Sequence, residues 1–172
     1  MDENALDHVT PGMMLPHVAL PATDGTDIAP AALPGRSIIA VYPWTGRPGR
    51  PNPPHWDDIQ GAHGSTPELE GFRDLHERFA RADTRIFGLS PQAQDYQLEV
   101  VERLRLPFPI LSDAEGVFAD ALALPTFSTG SESYLKRLTL AVSDGHVEWV
   151  FYPVSDPAGH AGEVLHWLET LA

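Results

Sequence analysis

Ser65 stands at a place in the sequence that can stabilise a negative charge. It follows a long loop, and Ser65-Thr66-Pro67-Glu68 has the polar cap, the first-turn proline and the later glutamate that predict a helix start. The first N–H groups of a helix are unpaired and carry partial positive charge, so an anion is stabilised there. A cysteine at this position would be largely thiolate, whereas a serine hydroxyl stays protonated. Considered alone, Ser65 is therefore predicted to cap the helix.

Other kinds of chemistry have little support in the sequence. The chain has no cysteine, which excludes disulfides, thiolate metal sites and thiol chemistry in this chain. Its eight histidines form no His-Glu-x-x-His pair, and no glycine-rich nucleotide or phosphate loop is present, so we expect neither metal nor cofactor. His63 is a candidate base for a Ser65 nucleophile, but Thr66-Pro67 does not fit the Gly-x-Ser-x-Gly elbow of hydrolases.

Strands and helices alternate in the first two thirds of the chain, and a hairpin and a helix follow. Parallel strands joined by right-handed crossovers, with a late antiparallel hairpin at Asp144-Gly145, predict a mixed central sheet covered by helices on both faces. The predicted class is α/β. Predicted strands cover 17–20, 26–28, 37–42, 85–90, 108–111, 134–143 and 146–152, and predicted helices start near Ser65, Ser90, Val117 and Ala158.

The loop between the strand at 37–42 and Ser65 is unusually long and rich in proline and arginine. Loops beyond roughly 12–15 residues in compact domains are usually functional or disordered. The proline density favours a stiff, extended path, and Trp56 is a residue able to anchor it. We therefore expect an ordered loop that forms a lid or a partner surface.

Charge and hydropathy limit the partners. The formal net charge is −13, and such a surface repels nucleic acid and anionic lipid. No stretch reaches the roughly 18 apolar residues of a membrane span, and residues 1–10 lack the pattern of a signal peptide. We expect a cytoplasmic protein that binds neither nucleic acid nor membrane.

Five blocks of sequence carry further information about the chain. They are Tyr42-Pro43, Gly64-Ser65-Thr66-Pro67 with Phe72-Arg73-Asp74, Phe87-Gly88-Leu89-Ser90, Leu106 to Asp113, and Arg137-Leu138-Thr139-Leu140 with Asp144-Gly145. Taken together, and over about residues 11–168 in the family's order, these blocks resemble the peroxiredoxin family, and within it the bacterioferritin comigratory protein branch. The resemblance implies one thioredoxin-fold domain over 1–172, with an active-site loop insertion at about 46–64.

The resemblance also assigns site residues. Ser65 takes the position of the peroxidatic cysteine, Arg137 would lie beside it to stabilise a thiolate and the peroxide, and Pro43 would shield it. The family threonine normally stands three residues before the cysteine, where this chain has Ala62. Thr45 is the candidate for that role, although an ordinary loop position is an equal interpretation.

The resemblance bears on partners too. Glu70 stands where many members of the branch keep a resolving cysteine, so a cysteine-containing form would need an external thiol, such as a thioredoxin or glutaredoxin system. The substrate implied is hydrogen peroxide or an organic hydroperoxide, and a homodimer is compatible with the family.

Two functional hypotheses follow. In the first, the chain is a thiol peroxidase whose reactive cysteine has been replaced by Ser65, by design or by natural loss. In the second, it is a naturally cysteine-free homologue with a binding or regulatory role. Both predict that this chain reduces no peroxide, because the serine hydroxyl does not ionise at neutral pH.

Overall fold

The computed structural model describes residues 4–171 and contains nine strands and four helices within them. The strands are β1 (Leu20–Pro21), β2 (Asp27–Ile28), β3 (Arg36–Val41), β4 (Thr84–Ser90), β5 (Ile110–Ser112), β6 (Thr126–Thr129), β7 (Glu132–Leu135), β8 (Leu138–Ser143) and β9 (His146–Phe151). The helices are α1 (Ser65–Arg81), α2 (Gln94–Leu104), α3 (Val117–Ala121) and α4 (Pro157–Thr170).

Five strands form a mixed sheet in the order β5-β4-β3-β8-β9. β3 lies at its centre, parallel to β4 and antiparallel to β8, so that Ala40 is opposite both Gly88 and Thr139. Residues 37–41 are all buried, as expected for a strand that is covered on both faces. The carboxyl end of β3 therefore points into the same region as the start of β8.

Helices cover both faces of this sheet, which confirms the predicted α/β class. Alternate residues of β3 face opposite sides: Ile38 and Ala40 pack with the buried residues of α1, α2 and α4, and Ile39 and Val41 pack with those of α3 and the N-terminal segment. On the first side Phe72 and Phe79 of α1 have ring centroids 5.8 Å apart. α1 thus packs against both the sheet and α4.

Some element boundaries differ from the sequence prediction. The strand predicted over 134–143 is two strands, because the chain breaks at Lys136-Arg137, and β7 pairs with the unpredicted β6 instead of entering the main sheet. The helix predicted to start near Ser90 begins at Gln94. Ser90 remains the last residue of β4, where its carbonyl accepts the Asp113 N–H at 3.0 Å.

The insertion is anchored on the β6–β7 hairpin, as the sequence predicts for Trp56. The buried Trp56 ring lies 5.1 Å from the Tyr134 ring and 5.7 Å from the Phe127 ring, and Trp44 meets its other edge at 5.3 Å. The Thr129 hydroxyl also donates a hydrogen bond to the Pro54 carbonyl. Aromatic contacts of this kind stabilise beyond simple burial, so the insertion has a fixed position.

Within the described part of the chain, no helix is both long enough and apolar enough to cross a membrane.

The β8–β9 turn supplies a test of the fold. Gly145 and Gly25 have similar positive φ values of 80° and 88°. A Cβ at Gly145 would meet the Ala31 backbone, whereas one at Gly25 meets nothing within 4 Å. Both alanine substitutions therefore strain the backbone, and Gly145→Ala adds a steric clash. We expect Gly145→Ala to lower the free energy of unfolding by about 2 kcal/mol more than Gly25→Ala, measured by urea denaturation. Equal losses would contradict this packing.

Candidate functional site

Ser65 is the first residue of α1, and the prediction that it caps the helix is wrong. The N-cap is Gly64, with φ 112°, and no side-chain hydrogen bond caps the helix. A Cβ on Gly64 would lie 2.8 Å from the Pro157 side chain, so both the turn and the approach of α4 require glycine here. The Ser65 hydroxyl is consequently free to face the interior, where Arg137 Nη2 donates to its Oγ at 3.1 Å.

Arg137 occupies the break between β7 and β8 and is only 3% exposed. Besides Ser65, its Nη2 donates to the carbonyl oxygens of Ala62 at 3.0 Å and His63 at 3.3 Å. Its Nη1 donates to Glu68 Oε1 at 3.4 Å. One guanidinium therefore connects the end of the insertion to the first turn of α1, and the structure brings together the predicted residues Ser65 and Arg137.

Glu68 is a site residue that sequence reasoning missed, because it assigned this side chain to a capping box. Ser65 and Glu68 are three residues apart and so share one face of α1. This spacing in the sequence could have identified Glu68 as a neighbour of Ser65. Glu68 is 1% exposed, and burial raises its pKa to about 7 although the Arg137 charge acts in the opposite direction. A sizeable fraction of Glu68 is then neutral near pH 7, and the Arg137 charge is incompletely neutralised.

A buried histidine lies behind the site. His160 of α4 is 2% exposed, its Nε2 is 2.8 Å from Thr139 Oγ1, and its ring contacts those of Phe72 and Phe151 edge to face. Burial, together with the Arg137 charge, lowers the pKa of His160 to about 4. His160 is therefore neutral at physiological pH and adds no second positive charge beside Arg137.

Thr45 and Pro43 lie buried just after β3, but Thr45 does not contact Ser65 in the way the resemblance implies. Its N–H and hydroxyl both donate to Gln92 Oε1, at 3.3 and 3.2 Å, and its carbonyl accepts the Tyr96 hydroxyl at 2.8 Å. Thr45 and Ser65 nevertheless line the same cavity of about 260 Å³. The catalytic roles assigned to Pro43 and Thr45 stay predictions.

The remaining polar residues near Ser65 do not complete a hydrolase or a metal site. The His63 ring is exposed, lies 3.7 Å from Asp57 Oδ1 and, in the described chain, makes no hydrogen bond to Ser65. Residues 4–171 contain no group of three or more side chains placed to hold a metal ion. The arrangement directs a positive charge at the Ser65 oxygen, and no described side chain accepts a hydrogen bond from the Ser65 hydroxyl.

The raised pKa of Glu68 predicts a pH dependence of stability. A carboxyl group whose pKa is higher in the folded state contributes stability that is complete below its unfolded pKa and is lost as the pH rises through the folded value. For Glu68 this window runs from about 4.5 to about 7. The stability of Glu68→Gln relative to the original chain should therefore rise across this window and then level off.

Urea denaturation of Glu68→Gln and of the original chain between pH 4 and pH 8 measures this difference in stability. The matched control is Glu77→Gln, a variant at an exposed position of the same helix, compared with the original chain in the same way. A flat difference for Glu68 would show that its carboxyl group has the same pKa in the folded and unfolded states.

Comparison with known proteins agrees with this geometry. The Redoxin family matches residues 10–165. Peroxiredoxin Q, chloroplastic, of Oryza sativa subsp. japonica is 25% identical over 168 residues, which cover 95% of this chain and 68% of the rice protein. Peroxiredoxin Bcp of Bacillus subtilis (strain 168) is 43% identical over 58 residues, which cover 34% of this chain and 37% of that protein.

Solved structures show the same fold. Peroxidoxin BcpB from Mycobacterium tuberculosis superposes with a TM-score of 0.76 at 24% identity, covering 96% of this chain and 99% of its own. Bacterioferritin comigratory protein of Xanthomonas campestris gives 0.74 at 23% identity, covering 94% and 99%. The predicted thioredoxin fold is confirmed.

Since the family match spans most of the sequence and its relatives are of the Q and Bcp type, the chain belongs to the redoxin family, as a peroxiredoxin of the bacterioferritin comigratory protein branch.

Proposed function

We propose that this chain carries a thiol peroxidase pocket in which Ser65 occupies the position of the peroxidatic cysteine, and that it reduces no peroxide as it stands. The observation that carries the proposal is the 3.1 Å contact between Arg137 Nη2 and Ser65 Oγ, at the N-terminus of α1. Both residues are buried, and the Arg137 charge is balanced only in part by the Glu68 carboxyl group 3.4 Å away, because burial favours the neutral form of that group. A thiolate at position 65 would be a further anionic partner for Arg137.

The reaction of a cysteine at this position defines what serine removes. The thiolate would attack one oxygen of the peroxide, forming an S–O bond while the O–O bond breaks. With one proton taken up, the products are a sulfenic acid and water or an alcohol. Arg137 would stabilise both the thiolate and the departing oxygen by charge-assisted hydrogen bonds. A serine hydroxyl is neutral at pH 7, so the first step does not occur.

The external partners follow from the same site. Glu70 stands at the resolving position and pairs with Arg73 at 3.7 Å, so a cysteine-containing form would be regenerated by an external thiol, such as a thioredoxin or glutaredoxin system. Its substrate would be hydrogen peroxide or an organic hydroperoxide. A cytoplasmic location and a homodimer belong to this proposal as well.

Restoring the thiol tests the proposal. We expect Ser65→Cys to consume peroxide catalytically with dithiothreitol, while the original chain stays at the uncatalysed rate. Ser133→Cys, which places a thiol at an exposed strand position, is the matched control and should stay near background. The introduced Cys thiol at 65 should also titrate below the roughly 8.5 of a free cysteine, because the helix N-terminus and Arg137 stabilise its thiolate.

Removing the guanidinium should abolish this activity. In the Ser65→Cys background, Arg137→Ala should lower kcat/KM at least about 100-fold, the usual effect of losing one electrostatic stabiliser. Because Arg137→Ala also unpairs Glu68, the variant is checked by circular dichroism, and Arg137→Lys serves as a charge-preserving comparison.

A folded Ser65→Cys protein that shows no turnover, and whose thiol titrates like that of a free cysteine, would overturn this proposal. A binding or regulatory role would then be the better function. Two observations favour that second candidate. The chain has no cysteine at any position, and Arg47 and Trp56 of the insertion line the cavity at Ser65 together with Trp44.

A further inference from the structure

The mouth of the cavity at Ser65 is basic, although the protein as a whole is strongly acidic. The Arg47 guanidinium carbon lies 3.8 Å from the centre of the Tyr96 ring, and Arg103 Nη2 donates to the Gly46 carbonyl at 2.9 Å. Burial raises the pKa of Tyr96, and the charges of Arg47 and Arg103 oppose that rise. A chain of net charge −13 has only 11 lysines and arginines, and two of them meet here.

One carboxylate partly neutralises this group. Glu99 accepts from Arg103 Nε at 2.8 Å and lies 3.5 Å from Arg47 Nε. The two guanidinium groups that line the cavity, against this one carboxylate, leave one positive charge in excess. Arg47 and Arg103 both line the cavity, so this excess faces the space that leads to Ser65. A positive cleft with low-dielectric walls concentrates anions from solution.

Part of the cavity wall is aromatic. Trp44 and Trp56 line it, and their rings meet edge to face with centroids 5.3 Å apart. The cavity measures about 260 Å³, slightly below the range of roughly 300–1,000 Å³ that holds drug-sized ligands. It therefore has room for a small molecule with one flat ring system rather than for a peptide.

We propose that this cavity binds a small organic anion, with its carboxylate on Arg47 and Arg103 and its flat apolar body against Trp44 and Trp56. Guanidinium groups pair with carboxylates in a planar, two-point geometry, and tryptophan faces bind flat rings. Arg47 and Trp56 both belong to the insertion, so the insertion creates this specificity. The inference rests on the proposed function in one respect, namely that Ser65 does not react with what enters the cavity.

Calorimetric titration of the original chain with 1-naphthoate tests the inference, with neutral 1-naphthamide as a probe of nearly the same shape. We expect saturable binding of 1-naphthoate at one site and binding of 1-naphthamide at least tenfold weaker. Sodium acetate, which carries the charge without the ring, should also bind at least tenfold more weakly. No saturable binding of 1-naphthoate, or equal binding of the amide, would overturn the proposal.

Paired substitutions locate the site. Replacing Arg47 and Arg103 together by glutamine should weaken 1-naphthoate binding at least tenfold. The matched control replaces Arg78 and Arg81 together, because both are exposed on α1 and pair with Glu169 and Glu77. This control should bind like the original chain, and urea denaturation should show both double variants folded. An equal loss in both would mean nonspecific charge attraction and would contradict the assigned site.

The readout is binding by the unmodified chain, whereas the proposed function is tested by turnover of Ser65→Cys. A negative result in the binding experiment therefore leaves the turnover experiment interpretable, and the reverse holds as well. Turnover without 1-naphthoate binding would remove only this inference, and arginine-dependent binding without turnover would remove only the peroxidase pocket.

Discussion

The buried guanidinium of Arg137 is the constraint on which the site depends. A charge removed from water costs several kcal/mol unless its hydrogen-bonding groups are satisfied. Here Ser65 Oγ, two carbonyl oxygens and Glu68 accept from its two terminal nitrogens, while its Nε has no hydrogen-bond partner among the described residues. Those partners come from the end of the insertion and from the first turn of α1, two segments separated from Arg137 by about 70 residues of chain. The loop and the helix start are therefore held in position by one side chain.

The groups around Arg137 preserve its charge instead of cancelling it. Burial raises the pKa of Glu68 and lowers that of His160, so both neighbours tend toward their neutral forms near pH 7. A site with this balance stabilises an incoming or developing negative charge. Under the proposed function that charge would be a thiolate at position 65, where this chain has a neutral hydroxyl. The site would then be a reactive centre that lacks its nucleophile.

The insertion changes what can reach this centre. Its Trp56 packs against the stacked Phe127 and Tyr134 rings of the β6–β7 hairpin, and its Arg47 lies on the Tyr96 ring of α2. The segment therefore connects the β6–β7 hairpin to α2. Its prolines limit the conformations available to the chain before it folds, so the entropy lost on fixing the loop is reduced. An ordered wall of arginine and tryptophan is the consequence.

The amino-acid sequence by itself determined the α/β class, the central strand β3, the helix at Ser65 and the Asp144-Gly145 hairpin. These features depend on periodicity and on local turn chemistry, which can be read along the chain. The sequence blocks around Ser65 and Arg137 also pointed to the family. Only the tertiary structure decided that Ser65 faces Arg137 instead of capping its helix, that Glu68 joins this pair, and that Thr45 turns to Gln92. Each of these outcomes is a choice between a local hydrogen bond and a partner distant in sequence, and burial of the Arg137 charge decides it for the first two.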